Sequence, residues 1–290
     1  MNYRYISRLD KNYPQRLQNI PNPPSGIYVS GVLPDESAKT VAIVGSRSCS
    51  EYGKSMAKHF ASTLAKAGVT IISGLARGID GIAQEAAALS GGVSIGVLGC
   101  GIDVVYPASN AKIYELVAQK GGIISEYPPG RPALAGQFPA RNRIISGLSD
   151  AVLVIEAKQR SGTSITVNRA LEQGKDVYAI PGRIYDECSK GCNELIEAGA
   201  YIALSPDTIL SGMGMSTAAD LDTSDVIKEN ITLTDYERKV LKYLEYQPVD
   251  IETLYENTKI TLQDLYVAIL NLQLKGLCKE VATNQYCRVI

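Results

Sequence analysis

The sequence predicts an α/β protein in which a doubly wound, mostly parallel sheet is followed by a small C-terminal winged-helix domain. Between residues 40 and 180, short apolar runs rich in β-branched residues alternate with helical patterns. Such alternation is typical of βαβ units, whose right-handed crossovers cover both faces of a parallel sheet. Three helix-start signals and two short strands then follow after residue 231. We therefore predict an extended Rossmann-like domain with a winged-helix appendage.

Length and composition allow one large core and one small core, because the chain has 290 residues and 45% hydrophobic content. The formal net charge of -1 excludes a broadly basic surface, so any site for a polyanion must be local. No apolar run approaches the length of a membrane span, and residues 1–6 lack the apolar segment of a signal peptide. We expect a cytoplasmic protein with no membrane partner. The six scattered cysteines and one histidine lack a four-ligand spacing, so we predict no metal, with Cys188 and Cys192 as half of a metal site as the alternative. We also expect no cofactor.

Residues 1–39 are expected to form an arm packed on the core, because prolines restrict its backbone before a short apolar strand at 26–32. Residues 40–212 are the predicted Rossmann-like domain. Its strands are predicted at 40–44, 70–73, 93–98, 122–125, 151–156 and 176–180. Its helices are predicted at 52–67, 78–90, 110–120, 141–148 and 163–173. In this architecture ligands bind outside the carboxyl ends of the strands.

Residues 213–230 lack periodicity and predict a linker, which leaves 231–290 for the winged-helix domain. The three helices of this domain are predicted to begin at Thr234, Asp250 and Thr261. The third carries only Asp264 and Lys275 as charged residues, whereas a helix that reads a DNA groove usually brings several basic or amide groups. We expect a protein-contact or weakly duplex-binding module.

Small residues and a cation follow the first parallel strand at Gly45, Ser46 and Arg47. Free backbone N–H groups in such a strand-to-helix turn can hold a phosphate, and Arg47 can clamp it with two hydrogen bonds. The spacing is not that of a dinucleotide fingerprint. A plain turn is the alternative interpretation of the glycines.

The second and third strands end in further candidates. Gly74 and Gly78 would let the backbone approach a ligand, with Arg77 above it. Asp80 is interpreted as a helix cap or an arginine partner. Gly99 follows the third strand.

Aromatic residues lie near these motifs. Tyr106 and Phe138 could stack on bases, for about 1 to 3 kcal/mol each. Lys112, one turn into the next helix, is expected to reach the same groove. The alternatives are that the rings fill a core without tryptophan and that Lys112 is simply exposed.

Residues 138–147 place Arg141, Asn142 and Arg143 at the predicted start of a helix. Cations are unfavourable at the positive end of a helix unless an anion lies opposite, which predicts a phosphate site. Arg141 continues the buried stripe of the helix to its start, so we expect its side chain over the ligand edge. Arg143 points elsewhere. It stays in the predicted site, with bracing of the loop or of a carboxylate as the alternative.

The fifth strand leads into a hydroxyl-rich helix start at Ser161, Gly162 and Thr163. Lys175, before the sixth strand, and Arg183, after it, complete the set of candidates. The strand ends together predict one continuous anion-binding groove.

The ordered motifs resemble the DNA-processing protein A family (DprA, also called Smf). They include Ser-Gly-Leu-Ala-Arg-Gly-Ile-Asp, Phe-Pro-x-Arg-Asn-Arg-Ile-Ile-Ser and Ile-Pro-Gly-Arg, and the resemblance covers roughly residues 5–210. It implies a protein that binds single-stranded DNA without sequence preference, forms a homodimer, protects incoming DNA and loads RecA recombinase onto it in natural transformation. It also implies that the arginine and glycine motifs contact backbone phosphate.

Two other functions compete with this interpretation. Rossmann enzymes that hydrolyse nucleotide monophosphates use a Gly-Gly-x-Gly-Thr-x-x-Glu loop similar to 161–163, but Thr166 stands where the carboxylate is needed. We therefore expect a protein that is not an enzyme. A winged-helix transcription regulator is the second alternative, and the nearly uncharged third helix argues against it.

Overall fold

The computed structural model describes residues 2–159, 161–216 and 233–289. These residues form two compact units, one within 2–216 and one within 233–289. Within the described ranges, no helix is both long and apolar enough to cross a membrane. Most of the predicted linker at 213–230 lies outside the described residues.

The first unit is built on one large sheet. Among residues 2–216 this sheet has nine strands, in the order β1-β2-β6-β5-β4-β3-β7-β8-β9. The strands are β1 (Arg4–Ser7), β2 (Gly26–Gly31), β3 (Thr40–Val44), β4 (Thr70–Ser73), β5 (Ser94–Gly101), β6 (Gly122–Tyr127), β7 (Ala151–Val154), β8 (Asp176–Ala179) and β9 (Tyr201–Ile202). All neighbours from β6 to β9 pair in parallel, whereas β1 and β2 pair antiparallel. The predicted mostly parallel, doubly wound sheet is confirmed.

Helices cover both faces of this sheet. They are α1 (Gln15–Gln18), α2 (Glu51–Lys66), α3 (Ile79–Leu89), α4 (Ala111–Lys120), α5 (Gln137–Gly147), α6 (Gly162–Glu172), α7 (Lys190–Glu197) and α8 (Pro206–Gly212). Strand β3 shows why the strands are continuously apolar. Ala42 and Val44 enter the core on one face, and Val41 and Ile43 enter the core on the other. Successive side chains point to opposite faces, so a strand buried on both sides is mostly apolar. The buried Thr40 at the start of β3 donates its hydroxyl to the Leu148 carbonyl oxygen.

The N-terminal segment extends the sheet, because β2 pairs antiparallel with β6 and β1 pairs antiparallel with β2. Arg16 fixes this segment to the amino ends of β3 and β7. Its Nη1 lies 3.0 Å from Asp150 Oδ2 and also donates to the Thr40 hydroxyl. The segment is therefore joined to the core by both backbone and side-chain bonds.

The second unit has three helices and a three-stranded sheet within residues 233–289. Its elements are α9 (Asp235–Tyr243), β10 (Val249–Asp250), α10 (Ile251–Thr258), α11 (Leu262–Leu274), β11 (Cys278–Ala282) and β12 (Gln285–Arg288), with sheet order β10-β12-β11. Thr234 and Glu237 form the predicted capping box, and Asp250 and Thr261 accept hydrogen bonds at the starts of α10 and α11. The predicted winged-helix domain is confirmed.

Candidate functional site

A cavity of about 600 Å³ opens at the carboxyl ends of the parallel strands. Several predicted residues line it: Gly45, Ser46, Arg47, Tyr106, Phe138, Arg141, Asn142, Ser161, Gly162 and Thr163. A smaller recess shares Arg47, Tyr106, Phe138 and Arg141 with the cavity and adds the predicted Gly74 and Arg77. Because carboxyl ends of parallel strands meet at one edge, motifs far apart in sequence come together here.

The rim of the cavity combines one cation with two rings. The Arg47 guanidinium is exposed and lies 5.8 Å from the centre of the Phe138 ring, a cation–π arrangement. The Tyr106 ring centre lies 5.3 Å from that of Phe138, with the planes tilted by 33°, and Tyr106 is 47% exposed. This rim, formed by Arg47, Tyr106 and Phe138, offers a positive charge and aromatic faces to the same ligand.

The start of α6 forms another part of the cavity wall. Ser161 occupies the N-cap position with extended backbone, but its side chain makes no capping hydrogen bond. Gly162 and Thr163 follow in the first turn and also line the cavity. The first N–H groups of a helix lack partners within the helix and carry partial positive charge, so this wall favours an anion.

Lys158 is a cavity residue that the sequence reasoning missed. It is exposed and lines the wall before α6. The available signal was its position directly after the predicted strand at 151–156, which is the rule that identified the other candidates. Its charge adds to that of Arg47.

The start of α2 differs from that of α6, because a carboxylate of the protein already occupies it. Ser50 donates its backbone N–H to Glu156 Oε2 at 2.9 Å, and its hydroxyl both donates to Glu156 and accepts from the Gly53 N–H. Ser46 donates its N–H to the Glu156 carbonyl oxygen. Glu156 is 1% exposed, and burial raises its pKa despite the hydrogen bonds from Ser50. The N–H groups of Ser46, Ser50 and Gly53 therefore have acceptors within the protein, and a phosphate contact in this turn stays a prediction.

Arg141 lies in the floor of the cavity. Helix α5 begins at Gln137, four residues before the predicted start, so Arg141 is in its second turn. The side chain is 3% exposed and donates from Nη1 to the carbonyl oxygens of Gly74, at 2.9 Å, and Val97. These bonds join the ends of β4 and β5. Arg141 thus lies at the predicted ligand edge with its Nη1 bonded to strand-end carbonyl oxygens, and a phosphate contact from it stays a prediction.

Asp80 faces Arg141 in this floor and accepts a hydrogen bond from the Gly74 N–H at 3.2 Å. Burial raises the pKa of Asp80, and the charge of Arg141 opposes that shift. Burial likewise lowers the pKa of Arg141 to about 10 although Asp80 opposes it. The interpretation of Asp80 as an arginine partner fits this arrangement.

Two predicted glycines shape the site without lining it. Gly78 has a φ of +77°, and a Cβ there would lie 2.2 Å from the Ser46 carbonyl oxygen. A Cβ on Gly99 would lie 2.8 Å from the Phe138 ring. Both positions allow close packing beneath the rim.

Four predicted cations lie elsewhere. Arg143 Nη2 is 2.6 Å from Glu126 Oε1 and its Nε donates to the Asn22 carbonyl oxygen, which confirms the bracing alternative. Lys112 and Arg183 are exposed and do not line the cavity described above. Lys175 precedes β8 and therefore lies at the amino end of the strands, the opposite edge from the cavity. There burial lowers its pKa, with Asp150 and Arg16 as its charged neighbours.

The fold and cavity together define a doubly wound α/β domain with a cation and aromatic rings at a strand-end cavity, in a chain that also contains a winged-helix unit. The family model described as DNA recombination-mediator protein A matches residues 4–214, and the DprA winged helix domain model matches 228–282. The chain belongs to the DNA recombination-mediator protein A family, as the motifs predicted.

Three relatives show the extent of the similarity. Protein Smf of Escherichia coli is 45% identical over 213 residues, which are 73% of this chain but only 57% of that protein. The X-ray structure of DNA processing protein A from Streptococcus pneumoniae has a TM-score of 0.69 and 42% identity, and the match covers 73% of this chain and 74% of that one. The structure of DNA processing protein A from Helicobacter pylori, reported for its single-stranded DNA binding mode, has a TM-score of 0.66 and 31% identity, and the match covers 73% and 96% of the two chains.

Proposed function

We propose that the chain binds single-stranded DNA in the strand-end cavity without reading its sequence. The rim is the observation that carries this proposal, because Arg47 stacks over Phe138 beside Tyr106. Stacking rings accept any base, and a neighbouring cation attracts the phosphate that links the bases. The start of α6 adds N–H groups for a second phosphate. The Helicobacter pylori relative, described for its single-stranded DNA binding, supports the same ligand.

We further propose that the chain acts in the cytoplasm during natural transformation, where it protects incoming DNA and loads RecA recombinase onto it. The description of its family as a recombination mediator supports this role. Binding that does not depend on the DNA sequence suits this role, since incoming DNA can have any sequence.

A homodimer is part of the proposal. Strand β9 lies at the end of the sheet order, and Tyr201 and Ile202 are 56% and 46% exposed. An edge strand has unpaired backbone groups that a second copy can pair with. Leu204, 78% exposed, extends this apolar edge.

We propose no enzymatic activity. Thr166 lines the cavity where the hydrolases of this fold need a carboxylate. Asp80 also lines the cavity, but Arg141 and the Gly74 N–H hold it. Incubation with nucleotide monophosphates tests this point, and release of free base or ribose phosphate would contradict it.

The main test is the salt dependence of binding to labelled oligo-dT. Each phosphate contact in a single strand contributes about 0.7 to the slope of log affinity against log salt. We expect steep weakening with salt, and we expect Arg47→Ala to reduce the slope by about that amount. Lys120→Ala, at the exposed end of α4 and outside the cavity lining, is the matched control and should keep the full slope. Binding that ignores salt, or an unchanged slope in Arg47→Ala, would contradict the proposal.

A further inference from the structure

A turn that follows β8 presents large apolar side chains to solvent. The Asp186 backbone N–H donates to the Arg183 carbonyl oxygen at 3.1 Å, which closes a β-turn with Ile184 and Tyr185 at its centre. We call residues 183–186 the β8 turn. Ile184 is 76% exposed and Tyr185 is 94% exposed. Turn centres usually carry small or polar residues, and contact with a ligand would remove this apolar surface from water.

The chain on either side of the β8 turn is held by hydrogen bonds. The Asn193 side chain of α7 accepts from the Gly182 N–H and donates to the Gly182 carbonyl oxygen, each at 3.1 Å. After the turn, the Cys188 N–H donates to Asp186 Oδ1 at 3.1 Å, and the Cys188 carbonyl oxygen accepts from the Ala157 N–H at 2.8 Å. A turn fixed in this way loses little conformational entropy when a ligand binds to it.

The β8 turn lies at the same edge of the sheet as the cavity. Strand β8 pairs in parallel with β7, so their carboxyl ends lie at this edge together. Ala157, which donates to Cys188, directly precedes the cavity residue Lys158. Cys188 Sγ also lies 3.9 Å from the carbonyl oxygen of Ser48, another cavity residue. A polymeric ligand that leaves the cavity on this side therefore meets the turn.

The charges around the β8 turn favour a polyanion. Arg183 is exposed at the start of the turn. Lys190, which forms an ion pair with Glu187, and the cavity residue Lys158 both lower the pKa of Glu187, so Lys158 also lies near the turn. The acids have partners within the protein, since Asp186 accepts a backbone hydrogen bond. An exposed ring beside a cation is the combination already found at the rim.

We propose that the β8 turn is a second stacking site for single-stranded DNA, outside the cavity. A strand held in the cavity passes Lys158, places a phosphate near Arg183 and stacks a base on Tyr185. This role of the turn rests on the proposed binding of single-stranded DNA in the cavity. The turn lengthens the site and adds no sequence preference, because a ring can stack on any base.

Oligo-dT of different lengths separates the two sites. We expect Tyr185→Ala to leave the affinity for oligo-dT of about 4 nucleotides unchanged, because so short a strand is held by the cavity alone. The affinity for oligo-dT of about 16 nucleotides should fall by about fivefold or more, because one stacked base is lost. Fluorescence anisotropy with labelled oligo-dT measures both affinities in the full chain.

Two further variants assign the effect to the ring and to the cation. Tyr185→Phe keeps the ring and should retain the affinity at both lengths. Arg183→Ala should reduce the slope of log affinity against log salt by about 0.7 with the longer oligo-dT and leave it unchanged with the shorter one.

Tyr3→Ala is the matched control. Tyr3 is also an exposed tyrosine, but it precedes β1, at the opposite end of the sheet order from β8 and β9. Its replacement should change neither affinity. Equal binding of the longer oligo-dT by Tyr185→Ala and the unaltered chain overturns the second site, and so does an equal loss at both lengths. Failure of the unaltered chain to bind either length would instead contradict the proposed function itself.

Discussion

Arg47 and Arg141 border the same cavity but differ in what they contact. The Arg47 guanidinium is exposed at the rim, above the Phe138 ring, whereas Arg141 is 3% exposed in the floor and bonded to strand-end carbonyl oxygens. Both belong to motifs that the sequence analysis assigned to phosphate. The difference teaches that burial and internal hydrogen bonds decide whether a cation in such a motif serves a ligand or the fold.

Replacement of the floor arginine should have the largest effect. In Arg141→Met the carbonyl oxygens of Gly74 and Val97 lose their donor, and Asp80 is left buried without its facing charge. We expect a loss of about 3 to 5 kcal/mol in the free energy of unfolding, measured by chemical denaturation. Arg47→Met, at the rim, should change it by less than about 0.5 kcal/mol. Equal effects of the two replacements would remove the distinction between rim and floor.

Replacement of the Phe138 ring should weaken oligo-dT binding and leave the salt dependence of that binding unchanged. We expect Phe138→Ala to weaken oligo-dT binding by about 1 to 3 kcal/mol, because a stacking surface is lost. The slope of log affinity against log salt should equal that of the unaltered chain, since no phosphate contact is removed. Phe138→Tyr keeps a ring and should retain most of the affinity. A reduced slope in Phe138→Ala would show that the ring acts by holding Arg47, whose guanidinium lies 5.8 Å away.

The smallest expected effect concerns Glu156, the buried acid at the start of α2. Burial raises its pKa, so the folded state holds the proton more tightly than the unfolded state. Its contribution to stability is therefore present at low pH and is lost as pH rises from about 4.5 through the raised pKa. In Glu156→Gln this loss should be absent. Denaturation of both proteins across this pH range measures the difference, and parallel profiles would contradict it.

The strands were predictable because a strand buried on both faces is apolar along most of its length. Thr40–Val44 and Thr70–Ser73 are found where they were predicted. Arg47 and Ser161 were also predicted, because ligands bind outside the carboxyl ends of the strands and only the positions of those ends are needed to select candidates. Lys158 obeys the same rule and was overlooked.

The role of Arg141 was not predictable because the start of α5 carries no sequence signal. Gly136 stands at its N-cap without a capping side chain, and Pro139 within the first turns suggests a later start. Strand β9 was missed for a different reason, since two residues are too few to show a pattern. Contacts such as that of Ser50 with Glu156 join residues 106 positions apart, and local sequence does not reveal them.

The Glu156 side chain at the start of α2 also affects which anionic groups can bind at that helix start. In dinucleotide-binding domains of this architecture, the first helix start receives the pyrophosphate of the cofactor. Here the N–H groups of Ser50 and Gly53 already have internal acceptors, and the acceptor of Ser50 is itself an acid. A free dinucleotide would have to displace a group of its own sign. The internal carboxylate thus disfavours a dinucleotide in the position that such cofactors take at the first helix start.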